Sequence, residues 1–153
     1  MEEEREMKFW KVGMLMAMLT VFIATNSFAV EADIKDTRVP ADQLAAAKAM
    51  KNPFPATPEN IAKGKEIFTG KGTCFTCHGN EGKGDGPAGA ALDPSPRNFS
   101  NPEFHKIRTE GEMHWIIKNG SAGTGMISYA PAIITEDEAW LTILFERSLG
   151  GGK

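Results

Sequence analysis

The segment Cys74-Phe75-Thr76-Cys77-His78 carries the most visible chemistry of this sequence. Its cysteines are the only two in the chain of 153 residues, and a histidine follows the second directly. The pattern Cys-x-x-Cys-His is the attachment signal for c-type haem, in which each thiol adds to a vinyl group and the histidine binds the iron. The segment therefore predicts one haem c held by two thioethers from Cys74 and Cys77, with His78 as an axial ligand.

Three other uses of paired cysteines fit the sequence less well. A disulfide across two intervening residues closes a very small loop and adds little stability. A thioredoxin-like redox pair belongs in a βαβ unit, and no β-rich run precedes Cys74. A zinc site needs further Cys or His ligands at a compatible spacing, and only His105 and His114 remain. These observations favour haem attachment.

An electron carrier normally fills the second axial position of its iron with a protein side chain, which blocks oxygen chemistry. Downstream of the haem motif the candidates are His105, Met113, His114 and Met126. Met113 and His114 fall in a predicted helix, where methionine is more often a packing residue. Met126 follows Gly123-Thr124-Gly125 in a predicted loop, and glycines let the backbone approach a flat ring. The residue types favour Met126 and leave His105 or His114 as alternatives.

The remainder of the sequence predicts helices joined by irregular loops, and therefore an all-α fold. Thr57-Pro58 opens a helix that runs to about Thr69, because threonine is a good N-cap and proline a good first helical residue. Capping boxes at Thr109–Glu112 and Thr135–Glu138 start two more helices, and the first of these stops at Asn119-Gly120. No stretch alternates as a strand would.

Glycines occur both inside a predicted helix and in a predicted loop after the haem motif. Gly64 shares a helical face with Ile61 and Phe68, and a glycine inside a helix costs about 1 kcal/mol relative to alanine. It is either a tolerated glycine or the point of a close helix crossing, and spacing alone does not decide. The run Gly79–Gly89 lacks the Gly-Lys-Ser/Thr ending of a phosphate-binding loop, so it predicts a loop that wraps closely around a bound group.

The N-terminal segment predicts export. Val12–Ala24 is an apolar run of signal-peptide length, and Ser27-Phe28-Ala29 supplies the small residues for cleavage before Val30. The leader Glu2–Glu6 is acidic where positive charge is expected, so we expect the true start to be Met7. An uncleaved membrane anchor is the alternative, but the run is shorter than the roughly 20 residues that span a bilayer.

These signals divide the chain into four parts. They are a signal peptide (1–29), an N-terminal extension with a short helix and a Pro-rich linker (30–56), the main domain (57–149) and a flexible tail (150–153). The short helix is predicted near Pro40–Met50 from its strong helix formers and early proline. No basic stripe interleaved with aromatics is present, so nucleic acid is not a predicted partner.

Together, the haem motif, the helix that opens at Thr57-Pro58 and the Gly84–Ala88 segment (GDGPA) resemble a class I monohaem cytochrome c. The resemblance covers about residues 57–149 and is greatest to a bacterial periplasmic group with a GDGPA loop after the haem motif. It implies a small cytochrome c fold, with helices and loops wrapped around one haem and its first and last helices crossing. It also implies that His78 and Met126 are the two iron ligands.

The resemblance further implies that the backbone carbonyl of Pro87 orients the free ring nitrogen of His78, which tunes the iron. Pro94 and Pro96 also lie downstream and are alternatives for this role. One departure concerns the residue after the distal methionine, which is commonly proline in the group and is Ile127 here. A less stiff loop predicts a weaker bond between Met126 and the iron.

The implied function is a periplasmic one-electron carrier rather than an enzyme. Redox proteins are its predicted partners, docking at the haem edge; no small-molecule substrate is predicted, and membrane contact requires an uncleaved N-terminal segment. The alternative is a dedicated haem c subunit of a larger periplasmic or membrane-bound oxidoreductase, because the proline-stiffened extension is more than a bare carrier needs. A gas-binding haem sensor is a third interpretation and requires a labile sixth ligand.

Overall fold

A computed structural model describes residues 33–151, which form helices and loops without a strand in that range. In chain order the α-helices of this range are α1 (Ala41–Ala49), α2 (Pro58–Thr69), α3 (Phe75–His78), α4 (Pro102–Ile107), α5 (Glu110–Asn119) and α6 (Glu136–Leu149). The all-α prediction is confirmed. None of these helices combines the length and apolar character that a bilayer-spanning segment requires. The predicted signal peptide and the proposed start at Met7 lie outside the described residues.

The predicted helix starts are present with their capping hydrogen bonds. Thr57 Oγ1 accepts a hydrogen bond from the Asn60 amide at 3.2 Å, and α5 and α6 both begin with complete capping boxes. Each such cap contributes about 1 kcal/mol. Helix α4 was not predicted from the sequence, although Asn101-Pro102 is the same kind of signal: Asn101 Oδ1 accepts a hydrogen bond from the Glu103 amide at 2.9 Å.

Helices α2 and α6 make the most extensive helix contact in the described residues. A Cβ atom added to Gly64 would lie 2.0 Å from the carbonyl oxygen of Leu141, so the two backbones touch at this point. One turn further along α2, Phe68 is fully buried, with its ring 5.2 Å from that of Phe145 in an edge-on arrangement. Gly64 is therefore the point of a close helix crossing.

The described part of the N-terminal extension, residues 33–56, packs on the main domain. Helix α1 lies so close to α5 that a Cβ on Gly111 would be 2.0 Å from the Ala47 carbonyl oxygen. Trp115 Nε1 donates a hydrogen bond to Gln43 Oε1 at 2.8 Å. In the Pro-rich segment, the Asn52 side chain donates to a backbone carbonyl of α6 at 3.0 Å. The extension is thus part of the folded unit from Asp33 onward.

Candidate haem site

One cavity within residues 33–151 is bordered by both cysteines, His78 and Met126. It encloses about 1100 Å³ of empty space, its open mouth included. Its wall is largely apolar, from Leu92, Phe99, Phe104, Met113, Ile117 and Ile134. Apolar walls with a few polar groups suit a flat, mostly hydrophobic ring.

The haem motif forms a single helical turn at the edge of this cavity. The His78 amide donates to the Cys74 carbonyl at 2.9 Å, which closes the turn. Cys74, Cys77 and His78 all border the cavity, and the two cysteines do not form a disulfide with each other. Burial, with a smaller contribution from the carboxylate of Glu146, raises the pKa of Cys74 to about 12. Redox-active cysteine pairs have a lowered thiol pKa, so this raised value does not suit a redox-active thiolate pair.

His78 is buried and held from two sides. The Phe99 ring stacks on it with a centroid distance of 4.6 Å, and its Nδ1 atom lies 3.1 Å from the carbonyl oxygen of Arg97. Donation of the Nδ1 hydrogen to that carbonyl leaves Nε2 with a free lone pair for a metal. Burial also lowers the pKa of His78, which favours the neutral, ligating ring. The residue therefore fits the role of an axial iron ligand.

The carbonyl beside His78 is not the one that the resemblance implies. Pro87 is exposed and does not border the cavity. The residues on either side of it donate their amide hydrogens to carbonyls of the haem motif, at 3.1 and 2.9 Å, which hold this segment against the motif. Pro94 and Pro96 do border the cavity, but the carbonyl in contact belongs to Arg97, directly after them. In this geometry the carbonyl of Arg97, and not that of Pro87, is placed to orient the ring of His78.

The two histidine alternatives for the second ligand are engaged outside the cavity wall. His105 Nε2 lies 2.6 Å from a backbone carbonyl just before α4. The His114 ring stacks on Trp140 at a centroid distance of 4.0 Å, and its Nε2 atom lies 2.9 Å from the carboxylate of Glu136. Neither histidine borders the cavity.

Both methionine alternatives border the cavity, from different surroundings. Met113 is buried on α5 within the hydrophobic core. Met126 is partly buried in a loop turn, where its amide donates to Thr124 Oγ1 at 3.1 Å and its carbonyl accepts from the Ser121 amide at 2.9 Å. These hydrogen bonds hold the Met126 backbone at the cavity edge. Ile127, which follows it, is 59% exposed.

The N-terminal extension supplies part of the cavity wall, through Thr37 and Arg38. This contribution was not predicted from the sequence. Thr37 Oγ1 donates to Glu112 at 2.8 Å, across 75 residues of chain. Arg108 donates to the same carboxylate at 2.9 Å and also to the backbone carbonyl of Ile34. One buried ion pair thereby ties the extension to α5.

Glu112 is a buried carboxylate whose charge is compensated. Burial pushes its pKa upward, but hydrogen bonds from Thr109, Thr37 and Arg108 together outweigh burial and leave the pKa below its ordinary value. A lowered pKa means that the native state holds the ionised form more tightly than the unfolded chain does. This stabilisation is fully present above the unfolded pKa of about 4.3 and is lost as the pH falls through the native value.

Replacing Glu112 with glutamine is therefore expected to lower the free energy of unfolding by about 3 kcal/mol at neutral pH. Removing one partner of a buried ion pair costs about 3–5 kcal/mol. The glutamine amide oxygen keeps part of the contact, so the lower end of this range is expected. The difference from the natural protein should shrink as the pH falls below about 4. Denaturant unfolding followed from pH 3 to 7 measures both effects. Glu59→Gln, an exposed pair with Lys63, is the control and should change little. A pH-independent difference would contradict this account.

Glu146 is a further buried carboxylate, and it was not predicted from the sequence. It borders the cavity from α6, and its sequence signal is its spacing. It lies four and three residues after Thr142 and Ile143, which are both fully buried, so it shares their helical face.

Comparison with known protein families identifies the class of this fold. The family described as Cytochrome c matches residues 61–149, which is more than half of the 153-residue chain. The chain belongs to the cytochrome c family. Membership implies a covalently bound haem c and haem-based electron transfer, and Cys74, Cys77 and His78 around one cavity fit that group. When bound, the haem supplies an iron centre that exchanges single electrons.

A solved structure similar to this cytochrome c is the Kuenenia stuttgartiensis reducing HAO-like protein complex Kustc0457/Kustc0458. The matched chain is 31% identical with a TM-score of 0.55, over 63% of this chain and 46% of that one. This cytochrome c therefore spans about half of the length of the chain that it matches. No curated protein matches it.

Proposed function

We propose that this cytochrome c is a periplasmic one-electron carrier whose iron lies between His78 and Met126. The observation that carries the proposal is the shared cavity, which both motif cysteines, His78 and Met126 border while His105 and His114 do not. Methionine opposite histidine raises the reduction potential of a haem. Two protein ligands also leave no open position for oxygen chemistry.

The remaining features of the proposal follow from the sequence. A single Cys-x-x-Cys-His motif supports one haem c held by two thioethers. Redox proteins would dock at the haem edge over a small, transient interface, and no small-molecule substrate is required. The N-terminal apolar run and its cleavage signal support export to the periplasm, with membrane contact only if that segment stays attached.

The visible spectrum of the purified protein, with and without carbon monoxide, tests the carrier function. We expect a methionine-to-iron band toward the red end in the ferric form, and no spectral change when the gas meets the ferrous form. Both results follow from a filled sixth position. Rapid gas binding by the native protein would overturn the proposal and favour a gas-binding sensor.

A dedicated haem subunit of an oxidoreductase complex is the second candidate. It is favoured by the similarity to a chain of the Kuenenia stuttgartiensis complex. Size-exclusion chromatography of a gentle native extract separates the two candidates, with the haem absorbance as the signal. A free carrier elutes as a small monomer, whereas a subunit elutes together with larger proteins.

A further inference from the structure

Glu146 occupies a position where an aliphatic side chain is expected. It lies on the buried face of α6, is only 4% exposed and borders the haem cavity. Glutamate is almost never buried unless it is paired. Within residues 33–151, no hydrogen bond or ion pair reaches its carboxylate. Glu112, the other buried carboxylate of this cavity, receives hydrogen bonds from three residues.

The titratable groups of the haem-motif side of the cavity do not compensate Glu146. Cys74 lies close enough for the carboxylate to raise its pKa, and it becomes an uncharged thioether once haem is attached. His78 is held neutral by burial, which lowers its pKa. Burial likewise raises the pKa of the Tyr129 phenol, so that group is neutral too. No lasting charge on this side balances the carboxylate.

The arginines around the cavity are engaged elsewhere. Arg147, the neighbour of Glu146 on α6, donates to two backbone carbonyls, at 2.6 and 2.9 Å. Arg108 is paired with Glu112 at 2.9 Å. Arg97 donates to backbone carbonyls of the extension, and Arg38 Nε lies 3.3 Å from an aspartate carboxylate. Burial therefore dominates over Arg147 and raises the pKa of Glu146 to about 8.

We infer that Glu146 is a proton-uptake site coupled to electron transfer in this cytochrome c. Its carboxylate binds one proton from water when the haem site receives one electron from the donor protein. It releases that proton to water when the electron passes to the acceptor. The proton cancels the negative charge that reduction adds to a low-dielectric site, where uncompensated charge is costly. This inference rests on the one-electron function proposed above.

The coupling predicts the direction in which the reduction potential changes with pH. An ionised Glu146 favours the oxidised site and a protonated Glu146 favours the reduced site, so reduction raises the proton affinity of the carboxylate. Because reduction then consumes a proton, rising pH disfavours it and the potential falls. For each pH unit the equilibrium constant for reduction falls at most tenfold, and the reduction potential of a one-electron couple therefore falls by at most about 59 mV.

Spectroelectrochemical titration of the holoprotein from about pH 5 to about pH 10 tests the coupling, since a buried carboxyl titrates in this range. The natural protein should show a potential that falls with pH over part of the range. Glu146→Gln and Glu146→Leu should both give a flat potential in that window, and leucine suits the apolar surroundings if glutamine does not fold. Glu146→Asp keeps the carboxyl and should keep the slope.

Asp137→Asn is the matched control, because Asp137 is an exposed carboxylate on the same helix; it should keep the natural slope. A flat potential in the natural protein, or an unchanged slope in the Gln and Leu variants, overturns the role of Glu146. In the latter case the titration belongs to another group, such as a haem propionate. A reversible one-electron couple in these experiments leaves the carrier function standing, whereas its absence defeats that function independently of Glu146.

Redox-difference infrared spectroscopy of the natural protein supplies a second readout. Reduction should produce a carboxylic-acid band that shifts in heavy water, and the band should be missing from Glu146→Leu. A purely structural role for Glu146 predicts no such band. Its absence at a pH where the potential is falling would also overturn the inference.

Discussion

Replacing Met126 with alanine is expected to remove the methionine-to-iron band and to lower the reduction potential by on the order of 100 mV or more. This change lies within the span of about 0.8 V over which axial ligands set haem potentials. Alanine offers no sulfur to the iron, so the ferrous form loses the ligand that stabilises it. The ferrous variant should also bind carbon monoxide. Absorbance spectra and a potentiometric titration of the variant measure these changes.

Met113→Leu is the matched control, because Met113 borders the same cavity from the buried side of α5. Leucine fills a similar volume, so the core should tolerate it at a cost below about 1.5 kcal/mol. The band and the potential should then stay close to those of the natural protein. A band that survives in Met126→Ala and disappears in Met113→Leu would move the second ligand from the loop to α5.

Replacing Gly64 with alanine is expected to lower the free energy of unfolding by about 2 kcal/mol, and valine should lower it further. The added Cβ would lie 2.0 Å from the Leu141 carbonyl oxygen, and a backbone atom cannot turn aside as a side chain does. Overpacking costs about 1–3 kcal/mol and occasionally more. The gain in helix propensity of about 1 kcal/mol offsets only part of this. Denaturant unfolding followed by haem absorbance measures the loss.

Lys65→Ala controls for the helix itself, because Lys65 is exposed on the same helix and lysine and alanine have similar helix propensities. Its free energy of unfolding should change little. If Gly64→Ala were as stable as Lys65→Ala, the contact between α2 and α6 would be looser than the structure shows. If the added methyl group of Gly64→Ala pushes α2 away from α6, the packing of Phe68 on Phe145 one turn away is disturbed as well.

The sequence alone determined the features that depend on neighbouring residues. The haem motif is five consecutive residues, and each capping box spans four, so the residues needed to recognise them are adjacent in the chain. The starts of α2, α5 and α6 and the all-α class were predicted from such signals and are confirmed. The start of α4 was readable in the same way from Asn101-Pro102.

Only the tertiary structure decided the features that depend on distant parts of the chain. Gly64 meets Leu141, Thr37 meets Glu112, and Arg97 rather than Pro87 meets the ring of His78. Local patterns carry no information on which carbonyl or guanidinium a loop will bring to a given atom.

Glu146 shows most clearly why the wall of the site could not be predicted from the sequence. Its spacing from Thr142 and Ile143 placed it on one face of α6, but only the packing of α3, α5 and α6 around a common cavity made that face the wall of a haem site. Burial, and with it the raised pKa of the carboxyl, is a property of all the surrounding elements together. The sequence predicted haem attachment at Cys74 and Cys77, and the tertiary structure decided which side chains border the cavity beside them.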